Sequence, residues 1–186
     1  MDKIKVKNIF AAVFVKTVID GLLAVLDPKA VKFWGTEGTA NYVKAKGFEG
    51  ESVVKGFDFD GRVKSLDRAN FVRILADTLN QAHVDELDKE GLEPINLVIV
   101  DLYAPDPTIF PESMDVGGQS LIRSAIKNYK SVALAFDSES ISELVKELKH
   151  NEGFTTLDFR KIQAKKAAKF IATRTKLEAE LFEKLT

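Results

Sequence analysis

The chain is expected to fold as an α/β domain, a mostly parallel central sheet with helices packed on both faces. Three observations carry this expectation. Short apolar runs alternate with amphipathic helical patterns, the order that gives a parallel sheet layered by helices. The run Asn-Leu-Val-Ile-Val-Asp-Leu-Tyr at 96–103 is almost continuously apolar, as a strand covered on both faces must be. The 186 residues, 45% of them hydrophobic, are enough for a sizeable core.

Residues 9–15 read as the first buried strand. Residues 19–26 read as a helix that stops near Asp27-Pro28, because the residue before a proline is pushed out of the α region. A strand at 31–34, a Gly/Thr loop at 35–39 and a helix at 40–46 follow, with Gly47 suited to the position after a helix end. A short strand is expected at 52–54, a loop over 56–65 and helical periodicity with a break from 66 to 90. After the strand at 96–103 comes an irregular loop, 104–114, punctuated by Pro105, Pro107 and Pro111. A helix at 117–128, a strand at 132–136 and an amphipathic helix at 138–150 with Ser138 as its N-cap complete the alternation. Thr155 or Thr156 can cap a last helical region near the C-terminus. With no internal repeat or low-complexity linker, the expectation is one domain over 1–186 with a C-terminal helical extension from about residue 155.

Composition narrows the function. A net charge of −1 gives no bulk electrostatic case for nucleic acid or membrane binding, so any anion site is local. There is no cysteine, which removes disulfides, thiolate metal sites and a cysteine nucleophile. His83 and His150 are far apart in charged helical stretches, which argues against a histidine metal site or a Ser-His-Asp triad. The apolar run near the N-terminus spans about seven residues against the roughly 20 that cross a bilayer. It reads as a strand, and a cytoplasmic location is expected.

Ligands of parallel α/β sheets bind beyond the carboxyl ends of the strands, which singles out the loops at 14–18, 35–39 and 103–118. Gly35-Thr36-Glu37-Gly38-Thr39 offers backbone amides, hydroxyls and a helix start. That suits a phosphate, and equally a plain helix entry. In Gly61-Arg62-Val63-Lys64-Ser65-Leu66, an extended backbone puts Arg62 and Lys64 on one side, either for an anionic ligand or as a solvated loop. Asp115-Val116-Gly117-Gly118 opens a helix; its glycine amides can hold a carbonyl or anion, or Asp115 can cap the helix itself. Arg123 and Lys127 share a face of that helix. Lys16-Thr17 follows the first strand, and Tyr103 ends the strand at 96–103.

In this order the segments resemble one family, the IMP cyclohydrolase domain of the bifunctional AICAR transformylase/IMP cyclohydrolase proteins. GRVKSL (61–66) is similar to the motif GRVKTL. The stretch 74–103, ending GLEPINLVIVDLY, resembles the family's GIEPIDLVVVNLYPF and the helix before it. The segment 115–148, starting DVGGQSLIRSAIKNYK, is similar to DIGGPTMLRSAAKNHK. Lys16-Thr17 looks like the end of SVSDKTG, and TEGTA (36–40) looks like SGGTA. The likeness spans about residues 8–175.

The resemblance implies a methylglyoxal-synthase-like fold, a three-layer α/β/α sandwich. It implies closure of the purine ring, in which formylaminoimidazole carboxamide ribonucleotide gives IMP and water, with no metal or organic cofactor. It also implies a homodimer whose ligand is a purine nucleotide; the family's usual formyl transferase domain is not expected within this sequence, which is read either as a standalone domain with a possible separate transferase or as an excised domain. Under it, Lys64 and Lys127 sit at the formyl and carboxamide end, with Tyr103 and Asp115 managing protons. Arg62, Val116, Gly117 and Gly118 hold the base, and Lys16, Thr17, Thr36, Gly38, Thr39 and Ser65 hold the 5′-phosphate. Phe14 and Val15 stand where the family has a hydroxyl and an acid, and Glu37 replaces a glycine. The alternative is a non-catalytic nucleotide-binding or regulatory domain of the same fold.

Overall fold

The computed structural model describes residues 2–54, 56 and 60–185; the expected loop at 56–65 therefore lies partly outside the described residues. A short strand β1 (Lys3–Lys5) precedes the main sheet. That sheet contains β2 (Asn8–Ala12), β3 (Lys32–Gly35), β4 (Glu49–Ser52), β5 (Leu97–Val100) and β6 (Ala133–Ala135). Their spatial order is β4-β3-β2-β5-β6, and every pairing is parallel. The chain builds outward from β2 through β3 to β4, then returns to lay β5 and β6 on the other side. The order thus reverses between β2 and β5, and a crevice opens beyond their carboxyl ends.

Alternation along each strand explains the layers. Ile9, Ala11, Phe33, Leu97 and Ile99 face one side. They pack there on Leu22 of α1 (Asp20–Leu23), Val43 of α2 (Glu37–Ala45) and Leu144 of α6 (Ser138–His150). Phe10, Trp34, Val98, Val100 and Leu134 face the other. Their partners include Ile74 of α3 (Arg68–Leu75), Leu121 and Ile122 of α5 (Gly117–Lys127) and Ile171 of α7 (Leu157–Phe182). Successive strand side chains point to opposite faces, so an unbroken apolar run serves both cores. The result is the three-layer α/β/α sandwich expected from the sequence. The break expected within 66–90 separates α3 from α4 (Gln81–Lys89). Among the described residues, no helix is long and apolar enough to cross a membrane.

Several boundaries differ from expectation. The first core strand ends at Ala12 rather than Val15; Phe14 and Val15 are 71% and 54% exposed, and the chain turns into a 3-10 helix at Lys16–Ile19. The strand expected at 52–54 lies at Glu49–Ser52, where the polar string Glu-Gly-Glu-Ser hides it. Gly50 is required there because a Cβ would come within 2.8 Å of Val43 Cγ2 and 2.9 Å of the Ala40 carbonyl oxygen. Asp137, not Ser138, caps α6: its Oδ1 accepts from Ser140 N at 2.7 Å while Ser140 Oγ accepts from Asp137 N at 2.9 Å. This reciprocal pair satisfies two helix-start amides at once.

The last helix is part of the core rather than an appendage. Thr156 caps it, accepting from Phe159 N at 3.2 Å, and β7 (Phe154–Thr156) just before it pairs antiparallel with β1. Arg160, 1% exposed, ties this corner together. Its guanidinium donates to the carbonyls of Thr155 (2.5 Å), Tyr129 (3.1 Å) and Lys130 (3.2 Å). Burial draws its pKa down, while the charges of Glu147 and Asp2 oppose that. Arg160→Met removes the donors and strands buried carbonyls, each costing about 1–3 kcal/mol. A loss of about 3 kcal/mol, or roughly 6–12 °C in a thermal melt for a chain of this size, is the expected result.

Candidate functional site

The crevice beyond β2 and β5 is a cleft of about 980 Å³. Its walls are the ends of those strands (Ala12–Phe14 and Val100–Tyr103), the start of α2, the segment 60–65, the loop 111–116 and the start of α5. Of the residues singled out in the sequence, Lys16, Thr36, Gly38, Arg62, Lys64, Ser65, Tyr103, Asp115, Val116, Gly117 and Gly118 line it. They come from five separate stretches of chain.

At one end, Asp115 folds back on the start of α5, where its Oδ1 accepts from Gly118 N at 2.5 Å. Of the two uses the sequence left open for this segment, the structure therefore takes the capping one. The paired glycines serve close approach rather than an open anion nest. A Cβ on Gly118 would lie 2.5 Å from Leu102 and 2.7 Å from Asp115 Oδ1, and one on Gly117 would lie 2.6 Å from Ser65 Oγ. Burial pushes the Asp115 carboxyl above the usual carboxylate range; the amides of Gly118 and Gln119 pull it back, and the charge of Asp101 adds to the rise. Tyr103 sits at the mouth, 44% exposed, with its ring 5.5 Å from that of Phe14. Partial burial, then the Asp115 charge, raises the pKa of its hydroxyl. Lys64 lies over Gly61, where φ is +89° and a Cβ would be 2.7 Å from Lys64 Cε. Arg62 pairs with Glu112 through its guanidinium.

The other end is held by bonds within the protein. Lys16 Nζ turns back on the carbonyl of Val13 and, at 3.3 Å, that of Phe14. Thr39 is buried; its Oγ1 accepts from Val13 N at 3.3 Å and lies 3.1 Å from Thr36 Oγ1. It shapes the loop and does not line the cleft. Thr17 is exposed on the 3-10 helix and does not line it either.

Lys127 is not brought to the cleft. Helix α5 starts at the cleft with Gly117 and ends with Lys127, and ten residues at 1.5 Å each separate them by about 15 Å. Lys127 is exposed at that far end. The expected meeting of Lys64 and Lys127 therefore does not occur within this chain.

Sequence reasoning missed Asp101. Its carboxylate accepts from Phe14 N through Oδ1 and from Val15 N through Oδ2, the latter at 3.1 Å. The one signal was an acid closing an otherwise apolar strand, where the family string NLVIVDLY resembles carries asparagine (VVVNLY). Among the described residues the cleft lining holds the acids Glu37, Asp60, Asp101, Glu112 and Asp115 against the bases Lys16, Arg62 and Lys64.

No family model matches the chain. It is 34% identical over 178 residues to the bifunctional purine biosynthesis protein PurH of Rhizobium rhizogenes, covering 89% of this chain and 33% of that protein. It is 31% identical over 172 residues to PurH of Clostridium botulinum strain Kyoto, covering 86% and 34%. It is 35% identical over 149 residues to PurH of Bradyrhizobium diazoefficiens, covering 74% and 28%. Among solved structures, the crystal structure of ForH superposes with a TM-score of 0.80 at 28% identity, covering 95% of this chain and 99% of that one. The chain spans about a third of the length of the PurH relatives it matches. Over that shared third, the chain is homologous to the PurH proteins.

Proposed function

We propose that this chain is an IMP cyclohydrolase, closing the purine ring of formylaminoimidazole carboxamide ribonucleotide to give IMP and water. The observation that supports this is the convergence of Lys64, Tyr103 and Asp115 on one cleft at the point where the strand order reverses. Ring closure needs the carboxamide nitrogen to attack the formyl carbon, the formyl oxygen to be stabilised as it gains charge, and water to depart. Lys64 places a cation for the developing oxyanion. Asp115 accepts the amide proton when ionised, and its raised pKa makes it a better base than a surface carboxylate. Tyr103, whose raised pKa keeps its hydroxyl protonated past the ordinary value near 10, donates to the leaving oxygen. Holding both reacting groups of one molecule in the cleft supplies orientation.

Under this reading, Arg62, Val116, Gly117 and Gly118 face the base, Lys16, Thr36 and Gly38 lie toward the phosphate, and Ser65, expected at the phosphate, lies instead against Gly117 at the base end. Lys127 enters the reaction only if a second copy of the chain presents it, which agrees with the homodimer expected from the resemblance. The second reading, a nucleotide-binding domain without turnover, draws on the same distance between Lys127 and the cleft.

Two measurements decide. Purified protein given the formylated ribonucleotide should produce the absorbance of IMP, and Lys64→Ala should lower kcat by about 100- to 1,000-fold. Binding of IMP without any turnover by the wild type selects the second reading. Asp115→Asn separates the base from the helix cap, because the amide oxygen still accepts from Gly118. The wild-type carboxyl holds its proton to higher pH folded than unfolded. Its ionised form therefore costs stability at neutral pH and nothing below the ordinary carboxylate pKa. The variant should melt higher than wild type at pH 7 and no higher at pH 3. Its turnover should fall, and the rise of wild-type rate with pH that follows ionisation of the Asp115 carboxyl, above the usual carboxylate range, should vanish.

A further inference from the structure

The loop after β2 carries amides and a lysine beside the start of α2, which is chemistry suited to an anion. Two of those amides and the lysine are already engaged. The Asp101 carboxylate takes the amides of Phe14 and Val15, one on each oxygen. Lys16 Nζ bonds the carbonyls of Val13 and Phe14, and its Cε would lie 3.4 Å from a Cβ placed on Gly38 in the first turn of α2. Glu37, the first residue of that helix, also lines the cleft. Asp101 thus stands where an anionic ligand group would otherwise bond, and it brings the same sign of charge.

From this geometry we infer that Asp101 is a specificity-determining residue that weakens the cleft's hold on a phosphate group, so that recognition rests on the base end of the ligand. The inference deepens the proposed ring closure and rests on it for the identity of the ligand. A phosphate seated beside Lys16 and α2 meets a carboxylate where two free amides would have bonded it. It must either accept that repulsion or displace Asp101 from the loop, and both cost affinity. The base end, with Asp115, Tyr103 and Phe14, carries no equivalent penalty for a neutral heterocycle. Asp101 also lies close enough to Asp115 for its charge to be felt there, so one residue links the two ends of the site.

The test is titration of wild type, Asp101→Asn and Asp101→Ala with IMP, inosine and inorganic phosphate, with each variant's thermal melt recorded. Asparagine keeps an acceptor for one loop amide; alanine frees both. Wild type should bind IMP and inosine within about tenfold of each other. Removing one repulsive charge at close range should tighten IMP and inorganic phosphate by about tenfold while leaving inosine within about twofold. A wild type that prefers IMP over inosine by more than about 100-fold would overturn the inference. So would variants that melt like wild type yet hold phosphate no tighter. If Asp101 serves only to brace the loop, the variants will bind every ligand more weakly, and the inference is wrong. If neither purine binds, ring closure fails as the function, and the inorganic phosphate titration alone decides the role of Asp101.

Discussion

Everything in this molecule is organised by β2 having a parallel partner on each side. Ile9 sits opposite Phe33 on one neighbour and Leu97 on the other, so the strand is buried on both faces and along both edges. The chain leaves it in one direction and later returns on the opposite flank. Loops that would otherwise cover its end must part, and the backbone ends of β2 and β5 are left facing a common space. The apolar core and the polar cleft are therefore two results of one topological choice. The buried side chains that hold β2 between its neighbours also place Val13 and Asp101, just past the strand ends, in the cleft lining.

Close backbone approach sharpens this arrangement. Gly35 lies where any Cβ would fall 1.9 Å from the Ala11 carbonyl oxygen, so β3 can hug β2 only through glycine at that position. The next residue, Thr36, then enters the cleft wall. Gly117 and Gly118 do the same on the opposite wall, letting Ser65 and Asp115 press against the start of α5. The glycines of the site thus work by letting neighbouring groups come near, and the amide of Gly118 is taken up by Asp115.

The layered fold was legible because it rests on periodicity. Leu97–Val100 is apolar at every position and buried at every position, and the stretch 138–150 repeats its apolar residues at helical spacing, with Ile141, Leu144 and Leu148 buried. What escaped the sequence depends on chain crossings rather than on local pattern. The polar string at 49–52 is a strand only because β3 offers it an edge. The pairing of β1 with β7 joins residues about 150 apart and leaves no local trace. In the cleft, the wall residues were readable because each follows a strand or opens a helix. Asp101 was not, since its role is set by amides 86 and 87 residues away. Lys127 reads as a site residue from family likeness, yet the rise of its helix carries it away from the other candidates.

The anchoring of α7 by Arg160 bears on where this protein can be cut. A boundary drawn near residue 155, where composition alone suggests an add-on, would strip Ala167 and Ile171 from one face of the sheet. It would also leave the carbonyls of Tyr129 and Lys130, in the turn that leads into β6, without the guanidinium they bond. A shortened version meant to isolate the ligand-binding layer would lose the surface that layer rests on. Fusion partners and affinity handles belong beyond the exposed final turn, after Phe182, where they leave the sheet covered.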